Sequence, residues 1–254
     1  MKLRYLIALG ITVFVLALLL KAPAAVIYGW TQSKTAAPAV KLYGLQGTLS
    51  EGQTSGVFIN EHPAFRDLHW QIKPLWLLLA HARFHIKSDN AQGLLDGDVS
   101  LSPLGTTAFR NLRASMAVKS LLGIIGQPYL PIDGQINLDL DSLQLKNNLP
   151  TQALGHVIVH DVAWTLAQPQ AALGDFRADI STDGDHNILV KITSISGALD
   201  VKGDARLAAD RSYELHLQYQ PKASAEAMVR NLLSSSGAAD AQGWYHFDKR
   251  GKLP

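Results

Sequence analysis

Histidine and aspartate side chains recur at short spacings, and these residue types are well suited to acid–base or metal chemistry. His81 and His85 are four residues apart, and so are His156 and His160. On a β-strand, residues at this spacing share a face but stand about 13 Å apart, so neither pair can bind one metal ion without another strand's ligands. Alternation around His85 places it on a polar, solvated strand face, whereas His156 and His160 are expected to meet polar partners. The sequence therefore predicts no metal site at either pair.

Pairs of aspartates separated by one residue raise a second set of roles, as acid–base carboxylates or as ligands in a calcium loop. A calcium loop of the EF-hand type needs D-x-D-x-D-G and a glutamate six residues after the glycine, and no segment fits that pattern. Turns and solvated strand faces explain these aspartates instead. The pairs are Asp96 and Asp98, Asp139 and Asp141, and Asp183 and Asp185.

Motifs for covalent and phosphoryl-transfer chemistry are missing from the sequence. A nucleophile elbow requires G-x-S-x-G, whereas residues 52–56 read Gly-Gln-Thr-Ser-Gly, with the serine one position too late. The chain has no G-x-x-x-x-G-K-[ST] loop for a nucleotide, and it has no cysteine to act as a nucleophile or zinc ligand. We therefore predict a protein that is not an enzyme, with no catalytic residues, no metal and no cofactor.

The distribution of charge argues against a nucleic-acid partner. The formal net charge is +2, but three bases, Lys2, Arg4 and Lys21, lie in the apolar N-terminal segment, which contains no acid. Without them the chain carries slightly more acidic than basic residues, and no broad basic patch remains.

An apolar run from Tyr5 to Leu20 follows Lys2 and Arg4. One interpretation is a cleaved signal peptide that ends at an Ala-Pro-Ala sequence; the other is an uncleaved anchor. The run is longer than a typical signal-peptide core, and a helix continuing to Tyr28 reaches the roughly 20 residues that span a bilayer. We favour the anchor, with Lys21 at the interface. Its apolar residues include Tyr5, Leu6, Ile7, Val13, Phe14, Leu18, Leu19 and Leu20.

This interpretation predicts how the chain is divided and where it resides. Residues 1–30 form the cytoplasmic N-terminus and the single transmembrane segment, residues 31–38 form a polar linker, and residues 39–254 form a β-rich domain. Basic residues before the apolar run keep the N-terminus in the cytoplasm, so the main domain lies in the periplasm at the inner membrane.

Beyond residue 40, apolar and polar residues alternate with a period of two, which predicts half-buried β-strands. Examples are residues 68–76, 82–88, 95–102, 175–180, 199–207 and 212–219. In residues 134–145 the apolar phase switches near Asp141, which predicts a bulge, and residues 156–166 are apolar on both faces, which predicts a central strand. We expect a mainly β, largely antiparallel domain, formed by a curved sheet or a sandwich.

Turn and helix signals complete the prediction for this domain. Turns are expected at residues 95–98, 132–134, 182–185 and 209–212, each of which contains an aspartate. A short C-terminal helix is predicted over residues 224–236, capped by Ser224 and ended by Gly237, and a shorter helix over residues 118–126.

Several segments along the chain together resemble the type II secretion system protein N family. They include Tyr43–Leu49, Leu68–Leu77 with its Trp and Pro-Leu, Leu130–Ile136, Val162–Trp164 followed by Leu173-Gly174, Tyr213–Leu215 and the pair Leu232-Leu233. The order and spacing of these segments, rather than any single sharp motif, carry the resemblance, which covers nearly the whole chain.

The resemblance implies a protein with one membrane span and a periplasmic β domain. It implies a role in the machine that moves folded proteins across the outer membrane, with other components of that machine and the inner membrane as partners. The resemblance supplies no catalytic residues. A weaker likeness to AsmA-type envelope proteins leaves an alternative, in which an apolar sheet groove binds or transfers lipid.

Six residues are candidates for structural or interaction roles. Gly44 and Gly47 suit bends or close backbone approaches. The tryptophans suit core packing, with a ligand groove as the alternative. The full set is Gly44, Gly47, Trp70, Pro74, Trp76 and Trp164.

Overall fold

The computed structural model describes residues 14, 18, 20–32, 40–72, 82–90, 93–102, 105–146, 149–166, 169–235 and 237–252. Three helices are present in these ranges: α1 (Ala24–Gln32), α2 (Val118–Ile124) and α3 (Ala227–Ser234). The strands are β1 (Val40–Tyr43), β2 (Gln46–Gly47), β3 (Glu51–Ile59), β4 (His62–Ile72), β5 (Ala82–Asn90), β6 (Gly93–Leu101), β7 (Thr106–Ala117), β8 (Ile132–Lys146), β9 (Leu149–Trp164), β10 (Ala171–Thr182), β11 (Ile188–Ser196), β12 (Leu199–Leu207), β13 (Ser212–Pro221) and β14 (Tyr245–Lys252).

All of these strands form one 14-stranded antiparallel sheet whose spatial order follows the chain. From β3 to β14 each strand pairs with the next, while β1 and β2 both pair with β3 at the first edge. The sequence is compatible with either a curved sheet or a sandwich, and the described residues form a single open sheet. This mainly antiparallel β architecture is the one that the period of two predicted.

Polar turns make this meander possible by satisfying backbone groups between strands. Between β10 and β11, the Asp183 carboxylate accepts hydrogen bonds from the backbone N–H groups of Asp185 and Asn187, each at 2.9 Å. Between β12 and β13, the Asp210 carboxylate accepts one from the Ser212 N–H at 2.9 Å. The predicted turns at residues 182–185 and 209–212 are therefore confirmed.

Two other predicted turns are wrong. Residues 95–98 lie inside β6, and residues 132–134 lie at the start of β8. Asp-Gly does not end the strand at either place, because the sheet accommodates each glycine at a register shift: Gly97 lies at the shift between Asp96 and Asp98, and Gly134 lies at another with φ +146°. In contrast, the bulge predicted near Asp141 is confirmed by a register shift between Leu140 and Ser142.

The helices agree with the sequence in place and differ in extent. Helix α2 matches the short helix expected over residues 118–126. Helix α3 begins at Ala227 rather than near Ser224, and Glu226 occupies its N-cap position without a side-chain capping hydrogen bond. The predicted Ser224 cap is therefore wrong, whereas the C-terminal helix itself is confirmed.

Two apolar clusters form where helices pack on the sheet. Val229 and Leu233 of α3 pack with Ala171, Leu173 and Leu199, and Val229 is only 1% exposed. Ile124 of α2 packs against the second cluster, which is centred on Val57, Ala64 and Phe65. Helix α2 follows β7 and helix α3 follows β13, and these two strands finish at the same end of the sheet. The helices therefore cover only that end.

The N-terminal segment contacts the sheet through the backbone carbonyls of Leu20 and Ala22. Backbone N–H groups of Leu49 and Ser50 donate to the carbonyls of Ala22 at 3.0 Å and Leu20 at 3.2 Å. The described residues contain no helix of sufficient length and apolar character to cross a membrane. Of the predicted anchor residues, Phe14, Leu18 and Leu20 are described; Tyr5, Leu6, Ile7, Val13 and Leu19 lie outside the described residues.

Candidate functional site

The register of the sheet sorts its side chains into an apolar face and a polar face. Opposite Leu138, for example, lie Ala114 on one side and Val157 on the other, and Val157 in turn faces Ala178. Because antiparallel neighbours directly opposite each other point to the same side, apolar residues accumulate on one face across the strands.

The apolar face is only partly covered. Helices α2 and α3 pack on its two clusters at one end, while apolar side chains in the rest of the face remain half-buried. A closed two-layer core would bury such residues fully, so this face is available to a cover from outside the described residues. The half-buried residues include Phe84, Val99, Leu138, Val157, Ile180, Val190 and Leu215.

The polar face carries a row of alternating charge, which we name the charge ladder. It contains one residue from each strand from β5 to β14, each directly opposite the next. Basic and acidic side chains alternate from β5 to β14, counting histidine as basic, and the alternation stops at β4, where His69 lies opposite Lys87. In strand order the members are Lys87, Asp96, Arg113, Asp139, His156, Asp179, Lys191, Asp204, His216 and Asp248.

Two steps of the charge ladder bring their partner side chains into contact; the Arg113 step is an ion pair, and the His216 step is one only when the imidazole is protonated. Arg113 Nε lies 3.6 Å from Asp139 Oδ2, and His216 Nδ1 lies 3.4 Å from Asp204 Oδ2. Exposed pairs of this kind each add little to stability, whereas like charges directly opposite each other are destabilising. The main effect of the charge ladder is therefore on strand register, because a strand that slips by two residues loses complementary neighbours on both sides.

The two edges of the sheet differ. At the first edge the chain's own N-terminal region provides cover, because Pro23 forms a backbone bridge with Thr48 and the Tyr28 hydroxyl accepts a hydrogen bond from the Leu42 N–H at 2.8 Å. At the other edge, β14 pairs with β13 and with no other described strand. Residues 246–252 of β14 are all exposed. An uncovered edge strand presents unpaired backbone groups, which makes β14 a candidate strand-binding site.

The candidate glycines lie beside the first edge, where both have positive φ. Gly44 has φ +64° and Gly47 has φ +89°. A Cβ on Gly47 would stand 2.6 Å from the Glu51 carbonyl oxygen and 2.7 Å from Gly52 Cα. These positions require glycine for local backbone geometry.

The candidate tryptophans do not come together. Trp70 lies opposite Gly52, and its indole N–H donates to the Thr48 carbonyl at 3.2 Å. Trp164 ends β9 and packs against the cluster beneath α3. Pro74 and Trp76 lie outside the described residues. The described tryptophans belong to separate packing regions, so they do not line one shared groove.

Several of the described histidines lie beside aspartates. His85 Nδ1 lies 3.2 Å from Asp98 Oδ1, and His160 Nδ1 lies 3.9 Å from Asp175 Oδ1. His81 lies outside the described residues. Within the described ranges no three His, Asp or Glu side chains are grouped so as to hold a metal ion.

Two open grooves also lie on the polar face, with volumes of about 840 and 740 Å³. The larger contains Arg83, Arg110 and Asp141, and the smaller contains both signs of charge from the ladder, including Lys191 and Asp204. Among the described residues, neither lining contains a nucleophile hydrogen-bonded to a base.

Sequence reasoning missed the charge ladder and the open edge at β14. The individual charges were assigned to solvated strand faces, but their alternation between strands appears only once the register is known. β14 itself was not predicted, because Tyr245 and Phe247 are followed on the same face by Lys249 and Gly251, which interrupts the apolar period.

The described residues thus form an open antiparallel sheet whose β14 edge pairs with no other described strand beyond β13. The family model for type II secretion system protein N matches residues 38–248, and the chain belongs to this family. Comparison with curated proteins and with solved structures gave no match.

Proposed function

We propose that this chain is a non-catalytic component of a type II secretion system that works as a scaffold at the inner membrane. Family membership supports the secretion role. The apolar run from Tyr5 to Leu20, preceded by Lys2 and Arg4, supports an anchor with the N-terminus in the cytoplasm and the sheet in the periplasm. Anchoring confines the sheet to one surface and raises the local concentration of its partners.

The uncovered β14 edge is the observation that supports scaffolding most directly. A strand edge binds partners through backbone hydrogen bonds, and side chains beside it select among them. β14 offers this edge over Tyr245–Lys252. The described ranges hold no alternative site with assembled nucleophile, base and metal ligands.

Deleting the gene in the cell that encodes it tests the proposed role. We expect folded substrate proteins of the secretion system to accumulate in the periplasm, and we expect the full chain to restore their secretion. A companion assay should follow the assembly of the other components in the membrane. Normal secretion together with normal assembly would contradict the proposal.

A second candidate function is lipid binding on the half-buried apolar face. The specific observation in its favour is the part of the apolar face that includes Leu138, Val157 and Val190, which α2 and α3 leave uncovered. Acyl chains could cover such a surface and gain about 25 cal/mol per Å² of buried apolar area. Mass spectrometry of the purified chain distinguishes the two, because stoichiometric phospholipid favours lipid binding and its absence favours a protein cover.

A further inference from the structure

The charge ladder ends at Asp248, on the edge strand β14. Every other member between its two ends faces an oppositely charged or histidine neighbour on both sides, whereas Asp248 faces His216 on one side only among the described residues. The same edge is the one that no described strand covers. The pattern therefore defines what the next strand should carry.

We infer that the outer edge of β14 binds one strand of a partner protein, antiparallel to β14, with a basic residue opposite Asp248 and an acidic residue opposite Arg250. This inference rests on the proposed scaffold function and deepens it, because it specifies the partner's sequence pattern. Backbone hydrogen bonds supply the attachment, and the two charged positions fix direction and register.

A second charged row supports the acidic residue that we place opposite Arg250 on the partner strand. Arg206, Glu214 and Arg250 lie directly opposite one another on β12, β13 and β14, so this row also alternates in sign towards the edge. Arg250 Nε lies 3.6 Å from Glu214 Oε1, and the Arg250 side chain is 71% exposed. An incoming carboxylate can therefore reach the guanidinium from the open side.

The apolar face adds two further requirements. Phe247 lies opposite Leu217 and is 46% exposed, and Tyr245 stacks on Tyr219 with ring centroids 5.6 Å apart. A partner strand that places apolar or aromatic side chains opposite Phe247 and Tyr245 extends these rows and covers their exposed edges.

The same pattern rejects unrelated strands. A strand with its two charges exchanged places an acid opposite Asp248 and a base opposite Arg250, and like charges directly opposite are unfavourable. Lys249, which faces the apolar side, further discourages a uniformly hydrophobic strand. The β14 edge therefore selects among partner strands by their charge pattern and does not bind every strand equally.

The test uses disulfide tethering on the full chain, which has no cysteine of its own. Lys249→Cys provides a single thiol between the two selecting charges. The probes are two eight-residue peptides with cysteine at the fourth position, valine at the sixth, tyrosine at the eighth and threonine elsewhere. The matched peptide has glutamate third and lysine fifth, so that in the antiparallel register they face Arg250 and Asp248. The reversed peptide exchanges those two residues.

Mixed-disulfide formation is measured at equilibrium in a thiol redox buffer. We expect the matched peptide to be favoured over the reversed one by on the order of tenfold, since two cross-strand charge pairs change from repulsive to attractive. Adding D248K and R250E to the tethering variant should invert that preference. Adding K41E and E61K, which exchange an exposed ion pair at the first edge, should leave it unchanged. Circular dichroism confirms that each variant is folded.

Equal formation with both peptides, or a preference that D248K and R250E do not invert, overturns the inference. A dimer of the unmodified chain that D248K and R250E dissociate also overturns it, because the strand bound would then belong to a second copy. Secretion is scored separately in the deletion strain. Normal secretion there refutes the scaffold function whatever the peptides do, whereas lost secretion with indifferent peptides refutes only the strand inference.

Discussion

At the scale of single residues, several aspartate carboxylates stabilise turns and bulges by accepting hydrogen bonds from backbone N–H groups. Asp175 shows how. Its carboxylate accepts a hydrogen bond from the Asp161 N–H at 2.8 Å and another from the Ser196 hydroxyl at 2.7 Å, so it links β9, β10 and β11. Asp161 sits in this bulge with φ +52°. These hydrogen bonds hold the pKa of Asp175 below its usual 3.8, and the bond from the Asp161 N–H has the largest effect.

Asp175→Asn is expected to lower the free energy of unfolding at pH 7. A carboxyl whose pKa is lower in the folded state stabilises the fold above pH 3.8, and that contribution is lost as the pH falls through the lowered pKa. The difference from the wild type should therefore shrink steadily below pH 4. Urea unfolding between pH 7 and pH 2.5 measures it. Asp185→Asn is the control. If the loss in free energy of unfolding caused by Asp175→Asn did not change with pH, this explanation would be contradicted.

Gly47→Ala is expected to destabilise the protein by about 1–3 kcal/mol, the range for a residue other than glycine held in a sparsely populated conformation. Gly47 has φ +89°, and an added Cβ would meet the Glu51 carbonyl oxygen. Gly184→Ala is a matched control, because a Cβ there meets nothing within 4 Å. Thermal unfolding compares the two. Equal losses would show that the positive φ of Gly47 is not what requires glycine.

At the scale of elements, helices α2 and α3 pack on one end of the sheet. Elsewhere the described strands form a single layer. Helix α3 is only eight residues long, too short to be stable alone, so its packing on the sheet must hold it. Val229 is the centre of that packing, in contact with the cluster of Ala171, Leu173 and Leu199.

Val229→Ala is expected to cost about 2 kcal/mol, because it removes two buried methyl groups and leaves a cavity. Asn231→Ala is the control, since Asn231 is exposed on the same helix and alanine favours helix formation. Urea unfolding of the full chain measures both. A loss for Val229→Ala no larger than that for Asn231→Ala would mean that α3 does not depend on this cluster.

Strands with regular alternation could be predicted from the sequence, and those with irregular alternation could not. β12 and β13 alternate without interruption, and both were predicted. β7 was missed because a register shift at Asn111 puts Phe109 and Leu112 on the same face, three residues apart. Local periodicity cannot follow such a phase change, because the neighbouring strand determines where the bulge falls.

The sheet order and the charge ladder lie beyond what sequence periodicity can predict. Alternation assigns Asp139 to a polar face, yet it does not say that Arg113 and His156 stand beside it. Those neighbours depend on hairpin register, including the shift at Asp141. The candidate site is a property of that register, so neither the ladder nor the β14 edge could be predicted from residue types alone.

At the scale of the whole molecule, the described residues form one open sheet with three distinct surfaces: a partly covered apolar face, a face of alternating charge and the β14 edge. The first edge is covered by the chain's own N-terminal region through Pro23 and Tyr28, which leaves β14 as the described edge available to a partner. Membership of the type II secretion system protein N family gives these surfaces a biological setting. We therefore expect the sheet to bind other components of that machine.

Photo-crosslinking in intact cells shows which molecules the sheet contacts. A photoreactive residue is placed in turn at Lys249 on the β14 edge, Gln218 on the polar face and Glu226 before α3. The scaffold account predicts adducts with other type II secretion components, strongest from Lys249. Adducts with lipid alone, or none from any of the three positions in cells that secrete normally, would contradict it.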